Sequence, residues 1–142
     1  MKQYMILSLL MFAMFVLAGC GNRNANKIEN NDSAKNSYVQ ISMDDAIKMM
    51  EEESDYIILD VRRPDEFAEK HIPGAINVPN ENIGTEEIPE LPDKDQLLLV
   101  YCRSGNRSKQ ASEKLAKLGY TNIHEFGGIN SWPGETVKEA TE

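Results

Sequence analysis

The sequence predicts an α/β fold built on a mostly parallel sheet. Two apolar runs of about five residues each, at residues 56–61 and 97–101, are bounded by polar residues and are typical of strands buried on both faces. A helical pattern follows the second run, with Ala111, Leu115 and Leu118 at i, i+4 and i+7 and Gly119 as a stop. Strands that alternate with helices indicate a parallel sheet covered on both faces.

The first predicted elements are a short strand at residues 38–41 and a helix that Ser42 caps. The apolar side chains of this helix recur at i, i+3, i+4 and i+7, at Met43, Ala46, Ile47 and Met50. Such a stripe indicates core packing. The strand at residues 56–61 follows, and Pro64 then opens a short helix at residues 64–69, because proline favours the first turn.

The remaining predicted strands are apolar runs at residues 75–78, 97–101 and 123–126. Residues 80–95 are polar and predict a loop or a weak helix. A helix at residues 107–118 follows the central strand. Gly127 and Gly128 are then expected to turn into a final helix through Trp132, whose ring packs that helix onto the sheet.

The chemistry is predicted to centre on Cys102, which lies where the central strand ends and a helix begins. The residues after it are rich in donors and small side chains: Arg103, Ser104, Gly105, Asn106, Arg107 and Ser108. Ligands bind at this carboxyl edge of an open parallel sheet. Converging amides and two arginines favour thiolate over thiol, which indicates a nucleophile. The alternative, an inert buried cysteine, fits this flanking sequence poorly.

The first 19 residues are predicted to be a signal peptide. Residues 5–18 are almost wholly apolar after a basic start at Lys2, but they are too few for a spanning helix. Residues 17–20, Leu-Ala-Gly-Cys, resemble the bacterial lipobox. This resemblance implies cleavage before Cys20, lipid on its sulfur, and anchoring to the outer face of the bacterial cell membrane (the periplasmic side if there are two). Ordinary secretion, with Cys20 incidental, is the alternative.

The rest of the chain is predicted to divide into a tether and one domain. Residues 20–37 carry the lipidated Cys20 and a polar, Asn-rich spacer that cannot bury enough apolar surface to order itself. Residues 38–142 fit a single small domain, expected to be a monomer. The net charge of −8 argues against nucleic acid as a partner, and against charge-driven binding to an anionic membrane.

The cysteine count excludes an internal disulfide framework. The sequence has two cysteines, and Cys20 is expected to be consumed by lipid. Any covalent adduct on Cys102 must therefore be discharged to an external thiol or another nucleophile. With His71 and His124 far apart in sequence, no metal-ligand spacing is visible, and neither a metal nor a cofactor is expected.

Five short motifs resemble, in order, the signatures of the rhodanese family. They are Leu-Asp-Val-Arg at 59–62, Glu-Phe at 66–67, His-Ile-Pro-Gly-Ala-Ile-Asn-Val-Pro at 71–79, the Cys102 loop, and Gly-Gly-Ile-Asn-Ser-Trp at 127–132. The resemblance implies a three-layer α/β/α fold with a five-stranded, mostly parallel sheet. It also implies transfer of a sulfane sulfur, from a small donor such as thiosulfate or a persulfide to a thiol or cyanide, through a Cys102 persulfide. Lys70 departs from the family, whose single-domain members usually carry Gly there.

The resemblance also suggests supporting residues. Arg103 and Arg107 are candidates for recognising the donor anion, since a guanidinium is permanently charged and forked. Arg107 could equally brace the loop against a carboxylate such as Asp60 or Glu66. Asp60 and Arg62 lie at a strand end, where they are expected to pin the active loop. A direct proton-transfer role for Asp60 is less favoured, and His71 is expected to be structural.

Two other functions compete with sulfur transfer. A rhodanese-like phosphatase or arsenate reductase shares a Cys-to-Arg anion loop, but its loop carries five residues where four separate Cys102 from Arg107 here. The shorter loop suits one sulfur atom better than a tetrahedral oxyanion. A non-catalytic binding module at the cell surface is the third possibility, although such modules typically lose the nucleophile that this chain keeps.

Overall fold

The computed structural model describes residues 37–139. The predicted signal peptide, Cys20 and the tether up to residue 36 lie outside the described residues, so the expectations about them remain predictions. Within residues 37–139, none of the helices combines the length and the apolar character needed to cross a membrane.

The sheet has five strands in the order β1-β5-β4-β2-β3, and every pairing in it is parallel. The strands are β1 Val39–Gln40, β2 Tyr56–Asp60, β3 Ile76–Asn77, β4 Leu97–Cys102 and β5 Ile123–Gly128. Strand β4 lies in the middle, and all six of its residues are buried. Its near-continuous apolar sequence is what a strand covered on both faces requires. The predicted five-stranded α/β fold is confirmed.

Residues 37–139 contain three α-helices: α1 Met43–Glu52, α2 Pro64–Glu69 and α3 Asn106–Lys117. Ser42 caps α1 as predicted, because its hydroxyl oxygen accepts a hydrogen bond of 3.1 Å from the amide of Asp45. Pro64 occupies the first turn of α2. Backbone amides in the first turn have no acceptor within the helix, so the missing N–H of proline costs no helical hydrogen bond there. Residues 80–95 contain a single 3-10 turn, Asn80–Asn82.

The hydrophobic core has two halves, one on each face of the sheet. Alternate residues of β4 contribute to opposite halves, since successive side chains of a strand point to opposite faces. Leu98, Val100 and Cys102 pack with Leu115 of α3 in the first half. The second half contains Ala46 of α1, with Leu97, Leu99, Tyr101 and Phe126. The result is the three-layer arrangement expected from the sequence.

The predicted final helix is wrong. Strand β5 continues through Gly128, and between it and residue 139 the only helical element is a 3-10 turn, Ile129–Ser131. Pro133 comes directly after Trp132, and the residue before a proline is disfavoured in helical conformation. The Trp132 ring packs against the second half of the core, as expected. Its indole N–H donates a hydrogen bond of 2.9 Å to the carbonyl of Glu135.

Candidate active site

Cys102 is the last residue of β4, at the carboxyl edge of the sheet. Its register partner is Gly128 of β5, and a β-bulge lies between Val100 and Cys102. The residue is only 1% exposed, which is also what an inert core cysteine would show. Its surroundings differ from those of an inert cysteine, because the amide of Gly105 donates a hydrogen bond of 3.1 Å to Sγ.

The loop lowers the pKa of the Cys102 thiol. Burial acts to raise that pKa, since it disfavours the charged form. Hydrogen bonds from the Ser108 hydroxyl and from the amides of Ser108, Gly105 and Ser104 outweigh burial and bring the pKa below its ordinary value. The lowered pKa of Cys102 agrees with the thiolate that the sequence indicates. The role of Cys102 as a nucleophile stays a prediction.

Two glycines allow the Cys102 loop to lie directly on the end of β5. Gly105 caps α3 with φ +105°, a left-handed conformation that favours glycine. At Gly128, an added Cβ would lie 2.2 Å from the carbonyl oxygen of Arg103 and 2.4 Å from the amide nitrogen of Ser104. The amide of Asn130 donates a hydrogen bond of 3.2 Å to that same Arg103 carbonyl. The backbone of residues 128–130 therefore holds the first half of the loop in place.

Arg107 braces the loop against α2. Its Nη1 and Nη2 donate to the two carboxylate oxygens of Glu66 at 2.6 and 3.0 Å. The hydrogen bond to Arg107 is the main reason that the pKa of Glu66 falls to about 2. Of the two roles that the sequence left open for Arg107, this geometry supports bracing, with Glu66 rather than Asp60 as its partner.

Asp60 and Arg62 form a buried ion pair, with side chains 0% and 3% exposed. Arg62 donates through Nη2 at 2.6 Å and through Nε at 3.0 Å to the Asp60 carboxylate. Nη2 also donates 2.7 Å to the carbonyl of Lys70. The side-chain hydrogen bond of this pair to another segment thus goes to Lys70, while the guanidinium lies 5.9 Å from the ring centroid of Tyr101, the residue before Cys102. That the pair pins the Cys102 loop stays a prediction.

Lys70 and His71 complete this supporting region. Lys70 has φ −168° and ψ 141°, an extended conformation that any residue adopts, so the departure from Gly costs nothing there. The His71 Nδ1 lies 2.8 Å from the carbonyl oxygen of Phe67, and the two rings stack at 3.8 Å. These contacts agree with a structural histidine.

A cavity of about 350 Å³ opens beside the loop, between α2 and the residues after β5. Four cationic side chains line it: Arg62, Arg63, Lys70 and Arg103. Arg62 and Arg63 are paired with Asp60 and Asp65, respectively. Arg103 is exposed and has no ion pair within residues 37–139. It is thus the cation of the Cys102 loop that is available to an anion from solution.

The other residues predicted for the site lie in the loop or at the start of α3. Ser104 and Asn106 are exposed, and Asn106 is the first residue of α3. Ser108, two residues further along the helix, is fully buried. Across residues 37–139, no group of three or more His, Cys, Asp or Glu side chains is arranged to hold a metal ion.

Sequence reasoning missed Glu125. This residue of β5 is 3% exposed, and its Oε1 accepts hydrogen bonds from the Ser108 hydroxyl at 2.6 Å and the Gly127 amide at 2.9 Å. Its carboxylate therefore lies directly behind the Cys102 loop. The available signal was an acid within the apolar run of residues 123–126, where a charge is costly unless it is bonded.

Comparison with known proteins matches residues 42–135 to the model of the Rhodanese-like domain. "Thiosulfate sulfurtransferase PspE" of Escherichia coli is 38% identical over 80 residues, which cover 56% of this chain and 77% of that protein. "Adenylyltransferase and sulfurtransferase UBA4" of Meyerozyma guilliermondii is 36% identical over 90 residues, 58% of this chain but only 21% of that protein.

Solved structures agree with these matches. A "rhodanese-related protein" from Thermoplasma volcanium is 32% identical and superposes with a TM-score of 0.60. The match covers 72% of this chain and 100% of that protein's chain. The family match spans most of the described domain and contains both Cys102 and Glu66. The chain therefore belongs to the rhodanese-like family of sulfurtransferases, as its motifs predict.

Proposed function

We propose that this chain moves a sulfane sulfur from a thiosulfate- or persulfide-type donor to an external thiol or cyanide, through a persulfide on Cys102. The observation that carries the proposal is the hydrogen bond of 3.1 Å from the Gly105 amide to the Cys102 sulfur. This amide belongs to the turn whose hydrogen bonds lower the pKa of the thiol. A thiolate bonded in this way is a competent nucleophile and a good leaving group.

The reaction would proceed in two exchanges at sulfur. The Cys102 thiolate attacks the outer sulfur of thiosulfate, the sulfur–sulfur bond breaks, and sulfite leaves with the bonding electron pair. Cys102 then carries a terminal persulfide anion, which the amides of the loop stabilise. An acceptor thiolate or cyanide attacks that terminal sulfur and takes it, and Cys102 leaves as a thiolate. No net oxidation of the protein takes place.

Arg103 is the residue that we assign to the donor anion. Arg107 is engaged by Glu66 and Arg62 by Asp60, so their charges are already compensated. Arg103 lines the cavity beside the loop without such a partner among the described residues. Its guanidinium can bind an oxyanion through two parallel hydrogen bonds.

The test is persulfide formation on the full chain with Cys20→Ser, which leaves Cys102 as its one cysteine. After incubation with thiosulfate, intact-mass spectrometry is expected to show one added sulfur atom, and cyanide is expected to remove it as thiocyanate. The matched control with Cys102→Ser should gain no mass. A chain that gains no sulfur but hydrolyses a phosphate ester or reduces arsenate would refute the proposal, as would one with no activity that only binds a surface partner.

We also propose that the chain is lipidated on Cys20 and held at the outer face of the bacterial cell membrane. The support is the sequence of residues 17–20 at the end of an apolar run. In cells fed labelled palmitate, the native chain should take up label and sediment with membranes, whereas Cys20→Ala should do neither. Uptake of label by the Cys20→Ala variant would contradict the proposal. Light scattering on the Cys20→Ser chain is expected to show a monomer.

A further inference from the structure

The cavity beside the Cys102 loop has two walls that lie far apart in sequence. Residues 62–70, which include α2, form one wall, and Arg103, Ile129 and Asn130 form the other. The members of the second wall are joined to one another, because the Asn130 amide donates a hydrogen bond of 3.2 Å to the Arg103 carbonyl. The width of the cavity therefore depends on what holds residues 62–70 in place.

The chain after the last 3-10 turn holds the end of α2. Val137 exchanges two main-chain hydrogen bonds with His71, of 2.8 and 2.9 Å, in an antiparallel bridge. The Glu139 amide donates a third, of 3.1 Å, to the carbonyl of Ala68. Residues 133–139, the strap, thus connect the second wall of the cavity to the end of the first.

The turn that starts the strap is built around Trp132. The indole N–H donates its hydrogen bond of 2.9 Å to the carbonyl of Glu135, and the ring packs against the second half of the core. A Cβ added to Gly134 would lie 2.8 Å from the indole nitrogen, so a larger residue there would push the ring or the chain aside. These contacts direct the strap back toward α2.

The strap contributes little to the core. All of residues 133–139 are exposed, with Val137 at 40%. Segments with few buried apolar contacts open at a lower free energy than the domain as a whole. Opening of the strap would therefore release the end of α2 without unfolding the sheet, while the pair between Arg107 and Glu66 would still hold its first turn.

The wall that the strap holds carries a cation. Lys70 lies between the two strap contacts, at Ala68 and His71, and lines the cavity. Like Arg103 on the other wall, it has no ion pair within residues 37–139. Two uncompensated cations on the two walls suit a dianion, and their separation depends on the position of the end of α2.

We propose that the strap is a positioning element of the donor site: it holds Lys70 at a fixed distance from Arg103, and so sets the affinity of the cavity for a small dianion such as thiosulfate. Apparent affinity falls in proportion to the fraction of molecules in the binding-competent arrangement. A closed strap keeps that fraction close to one. The inference rests on the proposed function, since the cavity is the donor site assigned there.

The experiment measures anion binding without turnover. The probe is inorganic sulfate, an unreactive dianion, and the readout is protection of Cys102 from alkylation by iodoacetamide at constant ionic strength. The full chain with Cys20→Ser is compared with the same chain carrying Val137→Pro, which removes the amide that donates to His71. We expect Val137→Pro to raise the sulfate concentration needed for half-protection by about threefold or more. Alkylation without sulfate should stay within about twofold, because the loop amides are unaffected.

The matched control is Lys138→Pro. In a hydrogen-bonded antiparallel pair, the amides of the neighbouring residues point away from the partner strand, so proline at residue 138 removes no bond of the bridge between Val137 and His71. Half-protection of this control should stay within about twofold of the parent, even though it also loses a positive charge. Equal half-protection in folded Val137→Pro and the parent would overturn the proposal, and so would equal rises in Val137→Pro and Lys138→Pro.

Gly134→Ala tests the strap by a second route and decides the question if Val137→Pro does not fold, as judged by circular dichroism. It should raise half-protection in the same direction, because it displaces the turn at Trp132. An unchanged value in folded Gly134→Ala would overturn the proposal. A change in alkylation without sulfate as large as the change in half-protection would also overturn it, since the strap would then act on the thiol.

No sulfur donor enters this measurement, so the two proposals fail separately. A chain that binds sulfate but forms no persulfide with thiosulfate would refute the proposed function and leave the strap proposal standing. A chain that forms the persulfide while its strap variants bind sulfate as the parent does would refute only the strap proposal. Absence of any protection in the parent would also refute it, because no dianion site would then lie beside Cys102.

Discussion

Arg107 and Glu66 form a two-point ion pair that joins the helix after the Cys102 loop to the helix after β2. The two hydrogen bonds measure 2.6 and 3.0 Å, and the side chains are 29% and 17% exposed. Because both are largely shielded from water, the pair should contribute more to stability than an exposed pair does. This geometry supports the bracing role of Arg107.

Glu66→Gln is expected to lower the free energy of unfolding by about 1–3 kcal/mol at about pH 7. The pKa of Glu66 is about 2 in the folded chain against an ordinary 4.5, so its stabilisation is complete above about pH 4.5 and is lost as the pH falls toward 2. Urea denaturation at about pH 7 and about pH 3 measures this, and the difference between native chain and variant should shrink at the lower pH.

The matched control is Lys48→Ala, which breaks a pair that Lys48 forms with Glu52 at 3.8 Å. Those side chains are 68% and 63% exposed. The variant should change the free energy of unfolding by less than about 0.5 kcal/mol. A Glu66→Gln effect no larger than this control would show that the Arg107 pair contributes little.

Gly128→Ala should displace the Cys102 loop. The new Cβ would lie 2.2 Å from the Arg103 carbonyl, and backbone cannot move away as a flexible side chain can. We expect destabilisation by about 1–3 kcal/mol and loss of persulfide formation, measured by urea denaturation and intact mass. Gly84→Ala is the control, because nothing lies within 4 Å of an added Cβ there, and it should retain persulfide formation. Equal behaviour of the two variants would contradict the steric argument.

Asp60→Asn is expected to destabilise the chain by about 3–5 kcal/mol, because it leaves the buried Arg62 guanidinium without its anion. The double variant Asp60→Leu with Arg62→Met removes both charges and should recover much of that loss. Urea denaturation of both variants measures the difference. The expectation fails if the double variant is less stable than Asp60→Asn.

Arg103→Gln should raise KM for thiosulfate by about tenfold or more, since it removes a charge-assisted contact to the anion. Alkylation of Cys102 by neutral iodoacetamide should stay within about twofold, because the loop amides are unaffected. Arg63→Gln removes a cation that lines the same cavity but is already paired with Asp65, and it serves as the control. A larger rise in KM for Arg63→Gln than for Arg103→Gln would reassign the anion contact.

Much of the fold could be predicted from local sequence. Local residue preferences predict three features that the structure contains: the six buried residues of β4, the Ser42 cap of α1 and Pro64 at the start of α2. The position of Cys102 between strand and helix follows from the same patterns. The predicted helix through Trp132 is wrong, because Pro133 disfavours a helical conformation at the residue before it.

The sequence by itself determined the α/β alternation, the family and the thiol at the end of β4. Only the tertiary structure decided that Arg107 binds Glu66, 41 positions away, that Arg62 binds the Lys70 carbonyl, and that Glu125 lies behind Ser108. The physical reason is that residue spacing records which face of an element is buried. The partner that a buried polar group meets there depends on the strand order β1-β5-β4-β2-β3, which brings distant segments together.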